Sequence, residues 1–258
     1  MQSDKVFVKV DNKIATVIVD NPPSNSIDPD VIDGLEKAFD NLLGNNVLAV
    51  IIASENPKVF IAGADIKQFV SWKKAEGTAV VERGNSVFNK IAGFPSPVIC
   101  AIDGFAFGGG MELALACDIR VASKNAKVGL PEVGLGIYPG YGGTQRLPRL
   151  IGVGMAKKLI FTGAPISAEE GYRIGLFEHL SEEGMALEDA QKIARQIAQV
   201  GPVAVKIAKK IINQGIELSL NEGISLESAN FGDICETQDK TEGAKAFLEK
   251  RKPVFAGI

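Results

Sequence analysis

The apolar spacing of this chain of 258 residues changes character once, and that change restricts the folds open to it. Before Glu183, short strand signals alternate with helical ones; beyond it the spacing is helical throughout. Alternation of this kind argues for an α/β unit whose strands are joined through helices. Val6, Val8 and Val10 alternate with polar residues, Asp11-Asn12-Lys13 makes a turn, and Ile14 to Val19 runs apolar, which predicts a β-hairpin. Asp28-Pro29 supplies an N-cap and a first-turn proline. Val31, Ile32, Leu35, Ala38, Phe39, Leu42 and Leu43 then repeat at helical spacing. Further strands are expected over Val47 to Ala53, Pro97 to Ile102, Ile119 to Ala122 and Lys127 to Leu130. Helices are expected over Val80 to Phe94 and Met111 to Cys117, with FIAGADIKQF in a loop. Ser167-Ala168-Glu169-Glu170 fits a capping box. The closing helices read as Met185 to Val200, Pro202 to Gln214, Asn221 to Cys235 and Asp239 to Lys250. The expected organisation is an α/β core over residues 1–195 and a helical region over residues 196–258, with no internal repeat visible in the sequence.

Several function classes are disfavoured by composition. Lys plus Arg total 28 against 31 Asp plus Glu, a formal charge of -3, so neither nucleic acid nor an anionic membrane is expected as a partner. Apolar runs such as Val47 to Ala53 are too short to span a bilayer. The opening MQSDKVFVKV lacks an apolar signal core, so no secretory segment is expected and the expected location is the cytoplasm. Cys100, Cys117 and Cys235 form no C-x-x-C pair, and an odd, sparse count does not suit a disulfide scaffold. Cys100 and Cys117 lie in apolar surroundings and read as buried thiols. His179 is the single histidine, so no two-His metal site can form within the chain. No nucleophile motif accompanies it, and it reads as a structural residue at a strand end. Acid–base chemistry must therefore rest on carboxylates, Lys, Tyr or the backbone.

Four segments could carry that chemistry. Gly108-Gly109-Gly110 lies between a strand and a helix, where the backbone can approach a ligand and offer unpaired N–H groups. The same triplet could be a tight turn, and it lacks both the G-K-[ST] of a phosphate loop and G-x-G-x-x-G. Glu112 stands just inside the following helix among Met111, Leu113, Ala114, Leu115, Ala116 and Cys117; so apolar a helix predicts a buried carboxylate. A first-turn carboxylate favoured by the helix dipole is the alternative. Glu132 follows a short strand and Pro131 and enters the glycine-rich GLGIYPGYGG, a strand-end loop of the kind that carries catalytic groups; standing alone it would read as a solvated loop carboxylate. AGAD around Ala64 is a second small-residue loop, weak by itself.

IAGADIKQF, AIDGFAFGGGMELALACDIRVAS, VGLPEVGLGIYPGYGGTQRLPRLIG, FTGAPISAEEGYRIGLFEHL and AFLEKRKPVF, in that order, resemble the enoyl-CoA hydratase (crotonase) family over nearly the whole chain. The resemblance implies an α/β spiral of ββα turns followed by C-terminal helices that build a trimer or a dimer of trimers. It implies an oxyanion hole from the backbone N–H groups of Ala64 and Gly109, with Glu112 activating water and Glu132 exchanging a proton with the α-carbon. Ala62, Ala64, Asp65, Ile66 and Lys67 would line the CoA moiety. Phe247 and Lys250 would reach the CoA of a neighbouring subunit. The implied activity is reversible hydration of a 2-enoyl-CoA, with CoA as part of the substrate and no further cofactor or metal. Isomerisation, dehydration of a specialised hydroxyacyl-CoA and C–C cleavage are alternatives on the same scaffold. RNA binding through Lys206, Lys209 and Lys210 is a different class, disfavoured by the net charge. The chain departs from the family pattern at Leu130, where Gln is frequent, and at Tyr138 and Tyr141, where smaller or plain apolar residues are frequent. Each tyrosine could project toward an acyl pocket or simply pack.

Overall fold

The computed structural model describes residues 5–258, apart from the side chains of Lys67 and Gln68. The hairpin forms as expected: β1 (Val6–Asp11) pairs antiparallel with β2 (Ile14–Val19). Asp28 caps α1 (Pro29–Leu43), its carboxylate accepting from the Val31 N–H. From there the chain winds through successive turns. β3 (Ala49–Ser54) and β4 (Val59–Ile61) lead to a 3-10 turn (Ile66–Val70) and α2 (Lys74–Ala92). β5 (Val98–Ile102) and β6 (Phe105–Phe107) lead to α3 (Gly109–Ala116). β7 (Ile119–Ser123) and β8 (Lys127–Gly129) lead to a 3-10 turn (Pro131–Leu135), α4 (Gly143–Ile151) and α5 (Val153–Thr162). Then come β9 (Ile166–Ser167), α6 (Ala168–Arg173) and β10 (His179–Ser181). Helices α7 (Ala186–Ile197), α8 (Pro202–Gly215), α9 (Leu220–Cys235) and α10 (Gln238–Leu248) close the chain.

Each turn deals its first strand to one sheet and its second to another. One sheet runs β1-β2-β3-β5-β7-β10, parallel except at the hairpin; the other runs β4-β6-β8-β9, with β4, β6 and β8 parallel. Successive side chains of a strand face opposite ways. Val50 and Ile52 of β3 and Val98, Cys100 and Ile102 of β5 accordingly join the main core. Ala49, Ile51 and Ala53, with Ile99 and Ala101, face the other way, against Ala186, Ala190 and Ala194 of α7. That helix buries only alanines on the sheet, so it lies close against it. A parallel sheet covered on both faces explains why β5 is buried throughout.

Local differences from the expected elements have local causes. FIAGADIKQF is not all loop, because Phe60 and Ile61 belong to β4 and are fully buried. The α2 helix starts at Lys74, ahead of the expected Val80, where the Glu76 carboxylate accepts from the Lys73 N–H. Its first turns are exposed and polar, so no apolar period marks them. The α10 helix stops at Leu248, and Lys250 takes a left-handed φ of 55°. Phe247 and Lys250 therefore do not share a helical face. Cys100 and Cys117 are buried, and His179 lies in β10 beside Asp189, 3.2 Å away.

Candidate active site

The carboxyl ends of β4, β6 and β8 lie side by side, and each carries one piece of the site. In parallel sheets such ends are where ligands bind. Past β4, Ala64 bridges to Ile27. The Ile27 N–H donates to the Gly63 carbonyl, and the Asp65 N–H donates to the Ile27 carbonyl. Both bonds use the residues flanking Ala64, so the N–H of Ala64 points away from Ile27. Past β6, Gly108 caps α3 and Gly109 is its first helical residue, whose N–H has no acceptor within the helix. One turn into α3 stands Glu112, 2% exposed. Past β8, the 3-10 turn carries Glu132.

Gly108 holds these pieces together. It has a left-handed φ of 52°, and its N–H donates to the Gly129 carbonyl at 3.0 Å. A Cβ there would lie 3.1 Å from Glu132 Oε1 and 3.7 Å from the Gly63 Cα, so the close meeting of the three strand ends needs glycine.

Glu112 is oriented by the segment after Glu132. The N–H groups of Tyr141 and Gly143 donate to its Oε1 at 2.7 and 2.8 Å. A Cβ on Gly143 would sit 3.0 Å from that oxygen. The Arg146 guanidinium donates to the Tyr141 carbonyl at 2.9 Å and fixes the loop. Burial pushes the Glu112 carboxyl up to about 8; the Gly143 N–H opposes the shift and the negative charge of Glu132 adds to it. Burial also raises Glu132. Its Oε2 is buried and takes no hydrogen bond from a described protein group. A buried acceptor of that kind is expected to meet a ligand or solvent. Two carboxyls raised by burial, one of them also by the charge of the other, favour a state in which one keeps its proton.

A pocket of about 230 Å³ opens beside Ala64, with Phe69, Trp72, Val80 and Tyr141 among its walls. Asp65 lines it too; Ile66 is largely exposed and the Ala62 N–H is tied to the Ser24 carbonyl at 3.3 Å. The side chain of Lys67 lies outside the described residues. Phe247 is exposed, and among the described residues lining this pocket neither Phe247 nor Lys250 occurs. Tyr138 is 70% exposed whereas Tyr141 is buried. Leu130 is buried. The Tyr141 and Gly143 N–H groups were not foreseen from sequence; the glycine run after Glu132 was their only trace.

Among the described residues, no group of three or more His, Cys, Asp or Glu side chains is placed to hold a metal. No helix among them is long and apolar enough to cross a membrane. Lys209 does not join a basic face: it is buried, with its ammonium 2.6 Å from Asp118 and 3.2 Å from the Ser96 carbonyl.

A profile of the enoyl-CoA hydratase/isomerase family matches residues 9–257. A short-chain-enoyl-CoA hydratase of Clostridium acetobutylicum is 42% identical over 254 residues, covering 98% of this chain and 97% of that protein. The mitochondrial methylglutaconyl-CoA hydratase of Homo sapiens is 45% identical over 238 residues, covering 90% of this chain and 70% of that protein. The crystal structure of an enoyl-CoA hydratase from Bacillus anthracis superposes with a TM-score of 0.95 at 38% identity, covering 99% of this chain and all of that one. The spiral of ββα turns is thus the crotonase fold, and the chain belongs to the enoyl-CoA hydratase/isomerase family.

Proposed function

We propose that this chain is a hydro-lyase, an enoyl-CoA hydratase that adds water reversibly and syn to a trans-2-enoyl-CoA, giving a 3-hydroxyacyl-CoA in fatty-acid β-oxidation or related acyl-CoA metabolism. The observation that carries the reading is the pair of raised carboxyls, Glu112 and Glu132, brought together by adjacent strand ends. Attack of water on the β-carbon places negative charge on the thioester oxygen. The N–H groups of Ala64 and Gly109 receive that charge, and a strong donor in such a hole contributes about 3–4 kcal/mol. With one proton shared between them, the ionised carboxyl takes a proton from water as its oxygen bonds to the β-carbon. The protonated carboxyl gives its proton to the α-carbon. Glu112 holds the water and Glu132 serves the α-carbon, so the proton that burial keeps on Glu112 in the free protein has passed to Glu132 when water is attacked. The pair ends with the same number of protons as it began, so no cofactor or metal enters the balance.

Isomerisation needs a proton relay between carbons, for which one carboxylate suffices; two neighbouring carboxyls favour water chemistry. The pocket favours an uncharged acyl tail over one bearing a second carboxylate. Asp28, Asp33 and Asp65 line it, and Arg83, its only cation among the described side chains, is paired with Asp33 and Glu36. CoA lies along Ala62, Ala64, Asp65, Ile66 and Lys67. The enzyme works in the cytoplasm as a trimer or a dimer of trimers, with Phe247 and Lys250 of one subunit completing the CoA site of the next. Supporting this assembly, α9 buries none of its residues within the chain, while Ile212, Ile216, Leu220, Ile224 and Phe231 stand exposed on α8 and α9 and in the turn between them. An apolar surface of that kind marks an interface. The test is to mix the protein with crotonyl-CoA and follow loss of the conjugated thioester absorbance. A protein that is folded and trimeric yet leaves the absorbance unchanged sinks the reading.

A further inference from the structure

The inner wall of the pocket is a tyrosine ring seated where the sequence has removed a side chain. On the core face of α2, Gly84, Val87, Phe88 and Ile91 are buried at helical spacing. Glycine inside a helix is unfavourable relative to alanine, so its place on this face needs a packing reason. The Tyr141 ring provides it: a Cβ at position 84 would fall 2.4 Å from Tyr141 Cε1 and 2.6 Å from Cδ1. The opposite edge of the ring faces Gly109, where a Cβ would lie 3.4 Å from Tyr141 Cδ2. Phe88 packs edge-on against the ring with centroids 5.5 Å apart. The ring therefore fills the gap between α2 and the start of α3, with Gly84 and Phe88 behind it and the pocket in front. The same residue's backbone N–H holds Glu112 and its ring edge faces Gly109, so the ring stands at the end of the pocket nearest the start of α3.

We propose that the Tyr141 ring, accommodated by Gly84, is the specificity-determining wall that confines this enzyme to short acyl tails. The inference rests on the hydratase reading for the site and adds the substrate class. A tail that grows past the first carbons meets the ring, and the space it needs is the space behind it. Removing the ring joins the pocket to the surface of Gly84 and Phe88. Adding a methyl group at Gly84 drives the ring toward the pocket.

The experiment measures kcat/KM for trans-2-butenoyl-, hexenoyl- and octenoyl-CoA in the wild type, Tyr141→Ala, Tyr141→Phe, Gly84→Ala and the Tyr141→Ala/Gly84→Ala double variant. Each length ratio is independent of the fraction of folded enzyme. Tyr141→Ala is expected to raise the octenoyl-to-butenoyl ratio by about tenfold or more, the scale of discrimination that a pocket wall provides. Tyr141→Phe keeps the ring and is expected to keep the wild-type ratio. Gly84→Ala is expected to lower the hexenoyl-to-butenoyl ratio, and that effect is expected to vanish in the double variant because the clash is gone. A Tyr141→Ala ratio within twofold of wild type, or a Gly84→Ala effect that persists without the ring, overturns the proposal. Calorimetric binding of butanoyl- and octanoyl-CoA to the same variants reads the wall without any hydration. If the wild type hydrates none of the esters but Tyr141→Ala still gains octanoyl-CoA affinity selectively, the hydratase reading fails and the wall stands. If Tyr141→Ala does not fold, an unchanged length ratio in Gly84→Ala is sufficient to reject the wall.

Discussion

Replacing Glu112 by Gln is expected to stabilise the protein in a pH-dependent way while removing its activity. The carboxyl is 2% exposed and titrates near about 8 in the fold, against about 4.3 in an unfolded chain. The folded state thus holds the proton more tightly than the unfolded state. Its stabilising contribution is complete below the unfolded value and is lost as pH rises through about 8. Between about pH 5 and about pH 8 the wild type is expected to lose on the order of 3–4 kcal/mol through this one group. Gln keeps an oxygen for the Tyr141 and Gly143 N–H groups and carries no charge to desolvate. For a chain of this size the gap in Tm between variant and wild type should therefore widen by roughly 10 °C over that range. Thermal denaturation of both proteins in matched buffers reads the gap, and subtracting the two curves cancels the titrating groups that do not interact with Glu112. A gap that stays constant with pH would falsify the assignment of Glu112 as a carboxyl buried against its ionised form.

The activities of Glu112→Gln and Glu132→Gln should each fall about 10²–10⁴-fold in kcat, with CoA-ester binding largely kept. The double variant should be little worse than either, since both groups serve one water; additive losses would show that they act in separate steps. Gly109→Pro should lower kcat about 10²–10³-fold because it deletes one oxyanion donor. Position 109 is the first of its helix, where proline is tolerated, so far-UV circular dichroism should change little, and an active Gly109→Pro enzyme would remove that donor from the site. Small substitutions at Ala64, which keep its N–H, should be mild. Lys250→Ala should raise KM for acyl-CoA with kcat nearly unchanged, and light scattering should report a trimer or hexamer; a fully active monomer rules out a shared CoA site.

Much of the core was legible because its periods are simple. The hairpin, the Asp28 cap and the β3, β5 and β7 strands follow from alternation, capping chemistry and apolar runs. Glu112 could be placed in the interior because every neighbour on its helix is uncharged. What sequence hid was mostly short or polar. The β4 strand has three residues, too few for a period to register, and α4 carries Pro148 within it and glycines before it. The far end of α10 is not legible because the charged run Glu249-Lys250-Arg251 suits a helix locally, whereas the Glu242 carboxylate gathers Arg251 and the Val254 N–H into a turn. The partners of Glu112 were invisible for a different reason: they are backbone groups, and a hydrogen bond from an N–H leaves no side-chain signature. The pairing of Gly84 with Tyr141 spans 57 positions and only three dimensions disclose it.

The dealing of strands between two sheets has a consequence for how such a site can diversify. The ends of β4, β6 and β8 contribute an amide, an amide with an acid, and an acid, and consecutive winds of the chain deliver them. No wind resembles another in sequence, yet each repeats the same path, so the scaffold behaves as a rack with three slots. The last two are interlocked, because Gly108 is hydrogen-bonded to Gly129 and the segment after Glu132 orients Glu112. One face of the larger sheet, with its alanine-lined helix, carries none of the three ends, but the other face shares the main core with β4, β6 and α3. A change of slot is therefore felt in the packing that keeps the chain folded.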